Sequence, residues 1–135
     1  MRRRRVLFLC SGNSARSQMA EGLINALRGD AWEAVSAGTE PAGYVHPLAV
    51  KAMDEVGVDI SAHRSKGIAE FGNTGFDLVV TVCDRAKEMC PVWLGKGKRQ
   101  HRGFDDPAEA QGSEDEQLEV FRRVRDEIRE MVMAL

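Results

Sequence analysis

The sequence predicts an α/β domain built on a parallel sheet, and three observations carry this reading. Short apolar runs alternate with stretches of helical periodicity. The first run, Val6-Leu7-Phe8-Leu9-Cys10, breaks into a Ser11-Gly12-Asn13 turn that leads directly into a helical pattern. Phe76-Asp77-Leu78-Val79-Val80-Thr81-Val82 is β-branched, apolar and free of Pro and Gly, as a central strand should be. Strands separated by helices connect through right-handed crossovers, and this makes them parallel.

The elements follow in order. Val6 to Cys10 reads as a buried strand. From Ser17 to about Arg28, Met19, Ala20, Leu23, Ile24 and Leu27 recur at helical spacing, and Gly29 marks the stop. Trp32 to Ser36 reads as a second strand. Pro47 opens a helix whose apolar face is Ala49, Met53 and Val56, ending at Gly57. Residues 97–103 read poorly as a strand and, if they form one, belong at an edge. Ser113 and Glu116 make a capping-box pattern for the last helix. On it Phe121, Val124, Ile128, Met131 and Leu135 share one face, with Arg122, Arg123, Asp126 and Glu127 turned away.

The 135 residues suit a single domain spanning 1–135, without repeats or linkers. Nineteen Lys and Arg against 21 Asp and Glu leave a net charge of −2, which excludes a strongly basic nucleic-acid binder. The 43% apolar fraction excludes a disordered chain. Arg2 to Arg5 before an apolar run resemble a signal peptide only superficially. The run is shorter than the roughly 7–15 residues of a signal core, and far short of a membrane span. A cytoplasmic monomer that engages neither membrane nor nucleic acid is therefore expected. Three cysteines, Cys10, Cys83 and Cys90, are too few for a secreted disulfide framework.

The chemistry concentrates in Cys10-Ser11-Gly12-Asn13-Ser14-Ala15-Arg16-Ser17. This segment leaves a strand at its carboxyl end, the edge where α/β sheets bind ligands. Five residues between Cys10 and Arg16 suffice for a loop whose amides point inward. With the helix N-terminus, those amides would cradle a tetrahedral oxyanion. Arg16 adds a bidentate guanidinium, and the same positive potential favours the Cys10 thiolate. Phe104-Asp105-Asp106-Pro107 supplies a second feature. Anion chemistry at a thiolate needs an acid to protonate the departing oxygen, and like charge nearby favours a proton-carrying Asp.

Taken with Gln18-Met19-Ala20-Glu21-Gly22 and Ser36-Ala37-Gly38, these motifs resemble the low-molecular-weight protein tyrosine phosphatase superfamily. Leu78-Val79-Val80-Thr81-Val82-Cys83-Asp84, Cys90-Pro91 and Phe121-Arg122-Arg123-Val124-Arg125-Asp126-Glu127-Ile128 resemble its thioredoxin-coupled arsenate reductase branch. The likeness runs from about residue 5 to the C-terminus. It implies a three-layer sandwich with a four-stranded parallel sheet, no bound cofactor, and thioredoxin as external reductant. It assigns Cys10 as nucleophile, Arg16 and the amides of residues 11–17 as the substrate site, Asp106 as general acid, and Cys83 and Cys90 as relay cysteines. Reduction of arsenate takes two electrons, which a dithiol closing to a disulfide supplies. A hydrolytic phosphatase needs neither Cys83 nor Cys90. Each exchange requires the segment between these two cysteines to move.

In part of the family Asn13, Glu21 and Ser36 match positions that help hold a potassium ion. The acidic fourth ligand expected near residue 66 is Lys66 here, and a cation cannot ligate potassium, so no metal is expected: either the Lys66 ammonium takes the ion's place or Lys66 is solvated and the site is absent. Ala15 stands where some members carry a further cysteine, which leaves the relay intact. His46, His63 and His101 show no ligand spacing and read as surface or loop residues; Trp32 and Trp93 read as packing. Cys83 and Cys90 lack zinc-ligand spacing.

Two other readings compete. One is a phosphatase of the same fold, hydrolysing phosphate monoesters through a Cys10 phosphoenzyme. Phosphate and sulfate should compete with arsenate for the loop, and weak phosphatase activity is expected in either case. However, Ala108-Glu109-Ala110 replaces the aromatic pair that flanks a tyrosyl ring. The other is a redox-sensing or anion-binding partner of a regulator.

Overall fold

In the computed structural model, residues 3–72, 74–84, 93 and 95–135 are described. Four strands form one parallel sheet: β1 (Arg4–Cys10), β2 (Trp32–Gly38), β3 (Leu78–Thr81) and β4 (Lys98–His101), in the order β2-β1-β3-β4. Three α-helices accompany them: α1 (Arg16–Leu27), α2 (Pro47–Asp54) and α3 (Glu114–Met133). Short 3-10 turns span Ile68–Phe71 and Pro107–Glu109.

β1 is central and buried on both faces, so its apolar run is continuous rather than alternating. Val6 and Phe8 pack against Met19, Leu23 and Ile24 of α1 and Phe121, Val124 and Ile128 of α3. Leu48, Ala49, Ala52 and Met53 of α2 join the same cluster. Leu7 and Leu9 face the opposite layer, with Ala37, Phe76, Val79 and Trp93, and with Ile68 and Phe71 of the first 3-10 turn against them. Phe76 and Trp93 meet edge to face at 5.7 Å, so Trp93 packs as expected, as does buried Trp32.

Several ends differ from the sequence reading. β3 is shorter than 76–82, running from Leu78 to Thr81, and just before it Asp77 accepts the Arg5 amide on its carboxylate at 2.7 Å. α2 stops at Asp54, and Gly57, at φ 78°, completes the turn that follows. Residues 98–101 do form a strand, and it lies at the sheet edge. The capping box is present: Glu116 N–H donates to Ser113 Oγ at 3.1 Å, and Ser113 N–H to Glu116 Oε1 at 3.2 Å.

Helical periodicity did not single out Arg125. Its guanidinium is buried and donates to Ala52 O at 2.8 Å and Glu55 Oε1 at 3.2 Å, which ties α3 to the end of α2. Gly22 lets α1 approach its neighbours, since a Cβ there would stand 2.6 Å from Ile60 Cγ2. Among the described residues, no helix is long and apolar enough to cross a membrane.

Candidate active site

The site forms where β1 ends. The register pairs Cys10 with Gly38 and Leu9 with Thr81, so Cys10 and Cys83 both leave the sheet at its carboxyl edge. Val82 continues the pairing with an N–H to Leu9 O bond of 2.8 Å, and Cys83 follows, fully buried. Cys10 is 2% exposed and is a free thiol, whereas Cys83 is disulfide-bonded. Cys90 lies outside the described residues, as does the segment expected to move.

Residues 11–15 curl between β1 and α1, with the carbonyls of residues 11–14 turned outward. Ser11 O accepts from Glu40 N at 3.0 Å, Gly12 O from Ala42 N at 2.8 Å, and Ser14 O from His46 N at 2.9 Å. Asn13 O accepts from Gln18 Nε2 at 3.2 Å. A planar trans peptide holds N–H opposite C=O, so these bonds leave the amides of residues 12–15 facing the concave side. Asn13 supports the curl with φ 48°, a conformation Asn tolerates better than most residues. Ala15, at the N-cap of α1, has no side chain with which to cap it, so the first turn of the helix opens on the same concavity.

The Cys10 sulfur is held from two sides. Asn13 N–H donates to Cys10 Sγ at 3.2 Å, and Ser17 Oγ lies 2.8 Å from the sulfur. Ser17 Oγ already accepts from Asn13 Nδ2 at 2.8 Å, which leaves its own proton for Cys10. Arg16 is buried at the loop's end. It donates to Phe104 O at 3.2 Å and stands 3.6 Å from Asp106 Oδ2. Thus the Phe104–Pro107 segment, 88 residues later, is brought against the loop. Asp106 Oδ1 accepts from Ala108 N at 3.0 Å, fixing the carboxyl at the start of the Pro107–Glu109 turn. Asp105 belongs elsewhere: it pairs with Arg123 at 3.0 Å on the surface.

Beneath the loop lies a buried polar layer. Glu21 Oε1 accepts from Ser36 Oγ at 2.8 Å and faces Lys66 Nζ at 3.5 Å; Lys66 Nζ also donates to Arg64 O at 3.1 Å. Asn13 Oδ1 accepts from Lys66 N at 2.7 Å and Gln18 Nε2 at 2.9 Å. Asn13, Glu21, Ser36 and Lys66 are therefore together, and the ammonium faces the carboxylate.

His46 and His63 lie in loops, as the sequence reading has it, whereas His101 ends the edge strand β4; all three are partly buried and take hydrogen-bonding or packing roles that the sequence reading did not give them. His63 Nδ1 stands 3.0 Å from Gln18 Oε1 and 3.3 Å from Glu21 Oε2, at the edge of the buried layer. His101 Nδ1 bonds Thr81 Oγ1 at 2.7 Å. His46 stacks on Phe121 with ring centroids 4.7 Å apart, and burial lowers its pKa against the opposing field of Asp106. Isolated histidines carry no periodic signal, so only the assembled fold could reveal these roles.

A loop of inward amides closed by a buried arginine, with a thiol at its floor and a carboxyl at its rim, defines a class of oxyanion-handling enzyme. The chain belongs to the low molecular weight phosphotyrosine protein phosphatase family, whose model matches residues 5–135. Within that class it is similar to arsenate reductases, and also to a solved low molecular weight protein tyrosine phosphatase from T. tengcongensis, which gives a TM-score of 0.72 at 29% identity, covering 96% and 95% of the two chains. The arsenate reductase of Halalkalibacterium halodurans is 51% identical over 128 residues, covering 95% of this chain and 91% of that one. A solved arsenate reductase in its oxidized state superposes with a TM-score of 0.80 at 35% identity, covering 98% and 95% of the two chains. A thioredoxin-dependent arsenate reductase of Corynebacterium glutamicum gives 0.65 at 28% identity, covering 98% of this chain and 61% of that one.

Proposed function

We propose that this arsenate reductase works by a three-cysteine relay regenerated by thioredoxin. One observation carries the reading: Cys10 lies at the floor of an oxyanion loop, and Cys83 leaves the adjacent strand at the same sheet edge. Arsenate docks on the amides of residues 12–15 and on Arg16. The Cys10 thiolate attacks arsenic, and Asp106 gives its proton to the leaving oxygen, which departs as water.

Cys83, as thiolate, then attacks Cys10 Sγ. An S–S bond forms, the S–As bond breaks, and its electron pair stays on arsenic, which leaves as arsenite. The Cys90 thiolate attacks Cys83, expels Cys10 as thiolate, and closes a Cys83–Cys90 disulfide. Thioredoxin dithiol reduces that disulfide and is itself oxidised, so two thiols supply two electrons per arsenate. In place of a potassium ion, Lys66 neutralises Glu21 and braces Asn13 through its main chain.

The test is arsenate-dependent NADPH oxidation with thioredoxin and thioredoxin reductase, using wild type and Cys90→Ser. Steady turnover in wild type that falls to a single event in the variant supports the relay. If instead wild type does not turn over and both proteins hydrolyse p-nitrophenyl phosphate efficiently, the phosphatase reading replaces it.

A further inference from the structure

His46 joins three structures at one residue. Its N–H donates to Ser14 O of the oxyanion loop at 2.9 Å. Its carbonyl accepts from Ala49 N at 3.0 Å and Val50 N at 3.1 Å, beginning α2. Its Nδ1 accepts from Leu48 N at 3.1 Å, capping the same helix with an imidazole. The segment it ends, 40–46, runs beside the loop and supplies outer donors to Ser11, Gly12 and Ser14 carbonyls, those that turn the amides inward. Gly43 N–H and Gly12 O are further bridged by Ser65 Oγ, each at 3.2 Å.

We propose that His46 is a positioning residue: its neutral imidazole pins the brace that shapes the oxyanion loop, and protonation releases the pin. The proposal rests on the loop being the oxyanion site. An Nδ1 that accepts a hydrogen bond carries no proton, so the ring's hydrogen is on Nε2. Adding a proton turns the cap's acceptor into a donor facing another donor. It also places a cation at the positive end of the α2 dipole.

The surroundings favour the neutral ring. Phe121 of α3 covers one face at 4.7 Å, and Tyr44 of the same segment lies 6.5 Å away. The charged side chain whose field reaches His46 is Asp106, from the segment beside Arg16, and it works against burial. Burial prevails, so the ring stays neutral at neutral pH and the brace is lost only on acidification.

Sulfate is the probe, because its double charge is constant over the range in which His46 titrates. Calorimetric affinity for sulfate is measured from about pH 8 to about pH 5.5 on the full chain. The proteins are wild type, His46→Asn, whose side-chain oxygen caps at every pH, and His46→Ala, which cannot cap. Wild type should match His46→Asn at the alkaline end and bind about fivefold more weakly at the acid end, the equivalent of one lost cap.

His46→Ala should bind about fivefold more weakly than His46→Asn throughout. A bare electrostatic effect has the opposite sign, since an added cation would tighten anion binding in acid. A wild-type to His46→Asn ratio that stays constant, or moves in favour of wild type on acidification, overturns the proposal. So does His46→Ala binding as tightly as His46→Asn. Absence of sulfate binding in all three proteins overturns the oxyanion loop itself, and the proposal with it. Nitrogen NMR of wild type at neutral pH gives a separate reading: a proton on Nε2 is expected, and a proton on Nδ1 would refute the cap.

Discussion

The hydroxyl of Ser17, in the first turn of α1, sits 2.8 Å from the sulfur of Cys10. Asn13 Nδ2 holds the far side of that hydroxyl, so its proton is directed at the sulfur. A hydrogen bond to a charged acceptor contributes about 1.5–3 kcal/mol. Ser17→Ala should therefore slow alkylation of Cys10 by iodoacetamide at neutral pH about tenfold or more, with the fold retained by circular dichroism. Alkylation at the wild-type rate would show that Asn13 N–H and the loop amides suffice.

Arg16 and Asp106 approach at 3.6 Å but do different work, and kinetics should separate them. Asp106→Asn should lower kcat about a hundredfold or more while leaving KM for arsenate nearly unchanged, since only the proton transfer is lost. Arg16→Lys removes the two-pronged contact and should raise KM about tenfold or more. Equal effects of both variants on KM would remove Asp106 from the role of acid.

Lys66 faces Glu21 at 3.5 Å, with both side chains about nine-tenths buried. Lys66→Met should destabilise the protein by about 3 kcal/mol in urea unfolding, because the buried Glu21 carboxylate loses its ammonium partner and keeps only Ser36 and His63. Wild type should be indifferent to KCl against NaCl at equal ionic strength. Lys66→Asp, which restores an acidic ligand, should gain a several-fold activation specific to potassium. Potassium activation of wild type would show that the ammonium does not replace the ion.

Gly38 is where β2 meets the loop. A Cβ there would stand 2.5 Å from Ser11 O and 3.0 Å from Asn13 N, both backbone atoms that cannot swing aside. Gly38→Ala should therefore displace the loop, costing about 2 kcal/mol of stability and most sulfate affinity together. Normal binding in a stable variant would mean that the loop tolerates the displacement.

Glu55 pins α2 to α3. Hydrogen bonding from Arg122, supported by Arg125, pulls its pKa down to about 2. A carboxylate depressed in the fold contributes stability above its ordinary value of 4.5 and loses it as pH falls toward about 2. The urea midpoint of wild type should fall between about pH 5 and about pH 2.5 by more than that of Glu55→Gln. Parallel declines would show that the ion pairs add nothing.

The chain's own order determined a good deal. Val6 to Cys10 had to be a buried strand, because a continuous apolar run needs cover on both faces. The switch from that run to Gly12, Asn13 and then helical spacing placed a strand-to-helix loop at the sheet edge. Ser113 and Glu116 set the start of α3 by purely local bonding. All of these signals act over a few residues, where periodicity and capping are legible.

What lay beyond the sequence is what depends on contacts across it. Asp106 reaches Arg16 from 90 positions away, while Asp105, its neighbour, turns to Arg123. Lys66 reaches Glu21 across 45. Residues 40–46 carry no motif, yet their N–H groups hold the carbonyls of Ser11, Gly12 and Ser14 and so shape the loop that follows Cys10. Arg125 and His46 sit among ordinary helix and turn residues, and burial alone gives them their roles. Local propensity is written residue by residue. Which polar groups share a buried space is decided only when the sheet order and the helix packing bring distant segments together.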